Sequence, residues 1–296
     1  MQPAIPPVNS SLLTLIRLAA EEDLSTPGDL TSLHAIPANS TSTAHIVARR
    51  PGTLSGTFLI PAILAQYSPA LTSETLTPDA SRLTVNQPVA KIAGPTRALL
   101  SAERVLLNFL GHLSGIATAT AKYVDAVSHV PKPPVICDTR KTTPGFRVLD
   151  KYAVRCGGGQ NHRMGLYDGV MLKDNHLAAL RDRLGHGLTL AELTARLRKE
   201  LPSGVMLWLE VDTLEQLADA LPGGGADVIL LDNFDPPRMR EGVAMRDKQG
   251  KHPLLEASGG ITLDNITAVA ETGVDRISIG ALTHSAPVLD LSMEFG

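Results

Sequence analysis

Cysteine is scarce: two in 296 residues, Cys137 and Cys156. That excludes a disulfide framework and a four-cysteine zinc site. Aromatic residues are equally thin at 3 %, with a single tryptophan, which leaves too few platforms for stacking nucleic-acid bases. Neither charge sign dominates, since 27 lysines and arginines face 30 aspartates and glutamates for a net charge of −3. A general nucleic-acid binder carries a basic surplus that is missing here. No run approaches the roughly 20 apolar residues of a membrane span. The opening MQPAIPPVNS has neither a basic nor an apolar signal-peptide region. The expectation is a cytoplasmic enzyme or small-molecule binder, with an apolar share of 43 % that suffices for a core.

The chain changes rhythm near its middle. In the first part, Asn9 or Ser10 can cap a helix whose apolar stripe is Leu12, Leu15, Ile16 and Ala19. Residues 25–40 read as turns. Short strands are expected at Thr43–Ala48, Leu54–Leu59, Ser81–Val85 and Val89–Ala93, separated by Pro and Gly breakers, in a small antiparallel sheet. A long helix is expected from Arg97 to Val127, burying Leu99, Val105, Leu106, Phe109, Leu110 and Leu113. The second part repeats apolar runs at Val135–Asp138, Gly169–Lys173, Met206–Val211, Val228–Asp232, Leu254–Ala257 and Arg276–Ile279. Helical patterns lie between them, two with capping-box spacing, Thr189…Glu192 and Thr213…Gln216. Continuous apolar strands alternating with helices indicate a parallel sheet covered by helices. Too few residues remain for a closed eight-stranded barrel. The first half therefore reads as an α+β domain with a small, mostly antiparallel sheet, and the second as an incomplete or open α/β barrel.

Each barrel strand ends on chemically useful residues, and barrel enzymes work at the C-terminal ends of strands. The ends are Asp138-Thr139-Arg140-Lys141, Lys173-Asp174-Asn175-His176, Glu210-Val211-Asp212, Asp232-Asn233, Ser258-Gly259-Gly260 and Gly280-Ala281. Capping of the following helix is the simpler reading for Asp212 and Asn233. Residues 138–176 hold seven cations against four aspartates. Arg147, Lys151 and Arg155 fit a solvated helix face, whereas Arg140, Lys141, Arg163 and Lys173 sit at strand ends or in glycine-rich loops. Clustered there, they imply an anionic ligand. Ser258, Gly259, Gly260, Gly280 and Ala281 are small enough for backbone N–H groups to approach a phosphate, aided by a helix beginning near Thr262. Glu210 and Asp232 end neighbouring strands. They can hold magnesium through water, bind sugar hydroxyls or stabilise an oxocarbenium-like centre; ordinary ion pairs with Arg140 or Lys141 are the alternative. His112 reads as structural, and neither cysteine as a nucleophile. Composition and spacing therefore indicate an enzyme acting on a phosphorylated sugar and a second, strongly anionic small molecule.

The same segments resemble one family along nearly the whole chain. Asp138-Thr-Arg-Lys-Thr-Thr-Pro-Gly145 resembles the DTRKTxPG signature of quinolinate phosphoribosyltransferases, and Lys151-Tyr-Ala-Val-Arg-Cys-Gly-Gly-Gly-Gln-Asn-His-Arg163 is similar to their KYAVxxGGGxNHR run. Leu172–His176, Leu209–Asp212, Leu231–Phe234, Glu256–Gly260 and Ser278–His284 follow in family order, and Glu22–Leu24, Gly28–Thr31, Glu103-Arg104, Leu107-Asn108 and Ser114–Ile116 match upstream. Asn86-Gln87 stands where the family tends to have glycine. The resemblance implies conversion of quinolinate and phosphoribosyl pyrophosphate into nicotinate mononucleotide, pyrophosphate and CO2. It places Arg140, His162, Arg163 and Lys173 around quinolinate, with Arg104 entering from a partner subunit. Lys141, Glu210, Asp232, Ser258, Gly259, Gly280 and His284 would hold the donor, with Mg2+ carried mainly by donor and water near Glu210 and Asp232. Lys141, Glu210 and Asp232 are the expected catalytic residues. The resemblance also implies the fold, of class α/β: an N-terminal α/β sandwich over residues 1–112, joined by 285–296, and an open α/β barrel over 113–284, in a homodimer with shared sites or a hexamer. A molybdenum-transport-associated paralogue and a non-catalytic quinolinate sensor are the alternatives. Intact Asn161–Arg163 and Lys173–His176 argue against the first, and retention of both Glu210 and Asp232 against the second.

Overall fold

The computed structural model describes residues 2–296. Two compact units are present. The first takes the chain up to Ala121, Thr142–Gly158 and Ala281–Gly296; the second takes Lys122–Lys141 and Gly159–Gly280. Thr142–Gly158 thus groups with the first unit although it lies in sequence between two segments of the second.

The first unit contains β1 (Thr41–Ala48), β2 (Gly52–Thr53), β3 (Thr72–Thr75), β4 (Arg82–Leu83), β5 (Pro88–Pro95) and, from the far end of the chain, β12 (Leu291–Phe295). An antiparallel sheet orders them β12-β1-β5-β3, with β2 and β4 as a separate pair. The first helix, Ser10–Leu24, starts where Asn9 accepts the Leu12 amide at 3.0 Å and buries Leu12, Ile16 and Ala20. Leu15 and Ala19 remain half-buried. The long helix spans Thr96–Val127, and all six residues expected on its buried face are buried.

Four local features depart from the sequence reading. Residues 25–40 contain a helix, Leu30–Ala35, because Asp29 caps it through the Ser32 amide at 3.0 Å. Leu54–Leu59 is not a strand: Gly56 takes a φ of +104°, which breaks extended chain, and Thr57–Leu59 turns into a 3-10 helix. β3 was not expected, since its four residues are all exposed and give no apolar alternation. Lys151 is not on a solvated face; on the helix Arg147–Cys156 it is 1 % exposed. At the hairpin, Asn86 has φ +63°, a left-handed conformation that glycine or asparagine tolerates.

The second unit contains β6 (Val135–Cys137), β7 (Gly169–Leu172), β8 (Met206–Val211), β9 (Val228–Asp232), β10 (Leu254–Ser258) and β11 (Arg276–Ser278). All pair in parallel, in the order β6-β11-β10-β9-β8-β7. The edge strands β6 and β7 do not pair with one another, so the barrel is open, as expected from the strand count. Trp208, Val228 and Leu230 form an apolar cluster with Met171, Met206 and Leu254 packed against it. Thr189 and Glu192 form the complete capping box. Thr213 caps its helix through the Gln216 amide, but the Gln216 side chain accepts from the Asp212 amide instead of from Thr213. Asp212 and Asn233 are therefore not caps; Thr213 and Asp235 fill those roles. Among the described residues, no helix is long and apolar enough to cross a membrane.

Candidate active site

The parallel register determines which strand ends meet. On β7 and β8, Leu172 pairs with Leu209, so Lys173 and Glu210 follow side by side. Their side chains form an ion pair, Nζ to Oε2, with the carboxylate mostly buried and the ammonium half-exposed. The partner of Glu210 is thus Lys173, not Arg140 or Lys141. On β9 and β10, Asp232 pairs with Ser258, which sets the second acid beside the small-residue turn. Asp232 accepts the Asn233 side-chain amide at 2.8 Å. Lys173 also begins the helix Asp174–Leu184, where His176 Nδ1 accepts its amide at 3.2 Å.

The cationic part rests on buried anchors. Asp138, fully buried at the end of β6, accepts the His162 amide at 2.9 Å and the Asn161 side chain at 2.6 Å. Those bonds fix the Asn161-His162-Arg163 loop beside β6, and a bridge between Cys137 and Gln160 extends the sheet there. The Arg163 guanidinium donates to the Gly169 carbonyl at 3.1 Å and lies 3.5 Å from Met171 Sδ. Its pKa is held below the ordinary arginine value, first by burial and then by the neighbouring Arg140 cation, with Asp168 opposing. Two guanidiniums that repel one another in a partly desolvated place favour an anion between them.

The other end of the site is built from backbone. Gly259 and Gly260 have φ of +89° and +62°. A Cβ on Gly259 would lie 2.1 Å from Asn233 Oδ1, so a side chain there cannot fit without displacing Asn233. Two successive glycines of positive φ turn the main chain tightly here with no side chain on it. The helix expected near Thr262 begins later: residues 263–265 form a turn and the helix is Ile266–Ala270, capped at Asn265. Five residues provide little dipole. Gly280 follows β11.

Arg104, Ala281 and His284 fall in the first unit. Ala281 opens and His284 closes a one-turn helix. Arg104 lines a cavity of about 500 Å3 together with Glu22, Asp23, Asn108 and His112. His112 Nε2 donates to buried Asp150 Oδ1 at 2.9 Å, and Asp150 Oδ2 also accepts the Thr143 amide at 3.1 Å. Cys137 and Cys156 are buried, and burial pushes the Cys156 thiol up to about 11. Sequence reasoning missed Glu256. It is fully buried in β10, with Oε2 accepting Arg276 Nε at 2.8 Å and Oε1 lying 3.5 Å from His162 Nε2. Burial raises its pKa, while Arg276, Ser278 and the Trp208 indole pull it back.

Two family models cover this architecture. The quinolinate phosphoribosyl transferase N-terminal domain matches residues 29–114 and the C-terminal domain residues 116–294. The chain is 41 % identical over 281 residues to the nicotinate-nucleotide pyrophosphorylase [carboxylating] of Mycobacterium leprae, covering 94 % of this chain and 95 % of the relative. It is 43 % identical to a probable enzyme of the same name from Bacillus subtilis, covering 92 % and 89 %. The solved nicotinate-nucleotide pyrophosphorylase from Francisella tularensis superimposes with a TM-score of 0.87 at 34 % identity, covering 100 % of this chain and 99 % of that one. With both domain models matched in order and relatives aligned nearly end to end, this chain belongs to the quinolinate phosphoribosyltransferase family.

Proposed function

We infer that this chain transfers the phosphoribosyl group of phosphoribosyl pyrophosphate to quinolinate with loss of CO2, giving nicotinate mononucleotide and pyrophosphate in NAD biosynthesis. The observation that carries this from the chain's own geometry is the division of the strand ends. Mutually repelling Arg140 and Arg163 stand at one end, and a left-handed glycine pair beside a carboxylate stands at the other. A dicarboxylate matches the first and a phosphorylated sugar the second.

The residue roles follow from that division. Arg140, Arg163 and Lys173 receive the two quinolinate carboxylates, with His162 in the same half. Amides of Ser258, Gly259, Gly260, Gly280 and Ala281 receive the 5′-phosphate, and His284 and Lys141 assist the donor. The quinolinate nitrogen attacks the anomeric carbon as the bond to pyrophosphate breaks, and the sugar becomes cationic. Glu210 and Asp232 supply opposite charge to that centre. The product pyridinium then accepts the electrons released when CO2 leaves, and the ring carbon takes a proton.

Mg2+ suits this site as an ion borne by the donor. No cluster of three or more metal-type side chains exists among the described residues, so Asp232 and Glu210 would reach it alongside water and pyrophosphate oxygens. The ion supplies neutralising charge to the leaving group. Arg104 is proposed to serve the site of a second copy in a two-fold dimer.

The test is incubation with quinolinate, phosphoribosyl pyrophosphate and Mg2+. Nicotinate mononucleotide and CO2 should appear in equal amounts, and a chelator should abolish both. Absence of product from folded protein would overturn the assignment.

A further inference from the structure

His162 is named with the quinolinate residues, yet its ring is 5 % exposed. Both ring nitrogens face the protein. Nδ1 accepts the main-chain amide of Arg163 at 2.7 Å. A nitrogen that accepts an N–H has its lone pair engaged and carries no proton, so in the neutral ring the proton sits on Nε2. Nε2 faces Glu256 Oε1 at 3.5 Å, and the other oxygen of that carboxyl is held by Arg276 Nε at 2.8 Å. One ring face lies on Trp208, with centroids 4.5 Å apart and planes 31° apart. The main chain of His162 is tied to buried Asp138. Contacts thus reach the residue from β6, β8 and β10, with Arg276 of β11 behind Glu256.

We propose that His162 is a positioning residue: with Nδ1 bonded to the Arg163 main chain, the ring lying on Trp208 and Nε2 turned toward the Glu256 carboxyl without a hydrogen bond to it, the residue aims the Arg163 guanidinium at a substrate carboxylate and does not touch the substrate itself. This rests on the reading of the cationic end as the quinolinate site. The amide at 2.7 Å is the first atom of Arg163, whose guanidinium is in turn held by Gly169 and Met171. With both ends of that residue fixed, the cation is presented in one orientation before the ligand arrives. That lowers the ordering cost of binding. Glu256 then matters to quinolinate binding although it is wholly buried and off the substrate path.

Two measurements decide it. In 15N-labelled protein, the His162 ring is assigned by its disappearance in His162→Asn. Nδ1 should be the unprotonated nitrogen and Nε2 the protonated one, unchanged when quinolinate saturates the site. A protonated Nδ1, or a ring that becomes doubly protonated on quinolinate binding, overturns the proposal. The second measurement is steady-state kinetics of three variants. Asparagine can place its Oδ1 near the position of Nδ1, glutamine places its amide near Nε2, and phenylalanine keeps only the stack on Trp208. The KM for quinolinate should rise roughly tenfold more in His162→Phe and His162→Gln than in His162→Asn, with the donor KM unchanged in all three. Recovery by glutamine and not by asparagine would mean that Nε2 meets the substrate, and the proposal falls. A parent protein that never turns over quinolinate would sink the functional reading instead, while the ring assignment, read without substrate, still stands or falls by itself.

Discussion

In the proposed function, the two ends of the strand-end site bind their anions in opposite ways. The first end uses long cationic side chains, Arg140, Arg163 and Lys173, steadied by buried acids such as Asp138 and by the ion pair to Glu210. The second uses almost no side chain at all, only the left-handed glycines after β10 and the small residues after β11. Side-chain cations read shape and charge at adjustable distance, as a planar dicarboxylate requires. Backbone amides are fixed once the turn is fixed, as a tetrahedral phosphate common to many sugars requires. Specificity should therefore reside at the cationic end and anchoring at the glycine end. Glu210 is tied to the first end through Lys173 and is proposed to face the sugar held at the second.

The largest effect should come from the residue that joins the halves. Glu210→Gln keeps the shape and removes the charge proposed to face the cationic sugar. A loss in kcat of roughly 10^2–10^3 is expected, the scale of removing one dedicated electrostatic group. Lys173 is released from its ion pair at the same time, so quinolinate should bind as tightly as before or more tightly. Calorimetry of quinolinate alone and steady-state rates check both halves of this. An unchanged kcat with a raised donor KM would assign Glu210 to hydroxyl or metal binding.

A smaller effect should separate the two glycines. Gly259→Ala meets Asn233 Oδ1 as well as a left-handed backbone, whereas Gly260→Ala has open space and only the backbone strain. Strain of about 1–3 kcal/mol plus a displaced asparagine predicts a donor KM raised tenfold or more for Gly259→Ala, and a few-fold for Gly260→Ala. The quinolinate Kd should hardly move in either. Equal effects of the two alanines would show that steric room beside Asn233 is irrelevant to the donor.

The smallest recovery concerns assembly. Arg104→Ala and Lys173→Ala should each be nearly inactive alone. Mixed dimers combine one intact site with one doubly damaged site. Random reassortment makes about half of the dimers mixed, so about a quarter of the parent activity should return. No recovery despite demonstrated subunit exchange would place Arg104 at the site of its own chain.

The same contrast explains what could be read from the sequence. Barrel strands announce themselves because they are buried on both faces, and Val228–Asp232 was legible to the residue. Strand-end residues follow at once. The polar edge strand Thr72–Thr75 and the turn at Gly56 carry no such signal, because exposure and a single backbone angle leave no periodicity. The burial of Lys151 and Glu256 was equally invisible. A charged residue is ordinarily exposed, and only the surrounding elements reveal otherwise. The Lys173–Glu210 pair lay between these cases: adjacency of β7 and β8 suffices to place them together, but the strand order had first to be known.

The division of labour between the two ends is tested most directly by offering the protein quinolinate and nicotinate in separate reactions with phosphoribosyl pyrophosphate and Mg2+. Nicotinate lacks one carboxylate and leaves a desolvated cation unmatched, at a cost of roughly 1–3 kcal/mol or more. The account predicts a kcat/KM for quinolinate at least about tenfold higher. Comparable turnover of the two would contradict it.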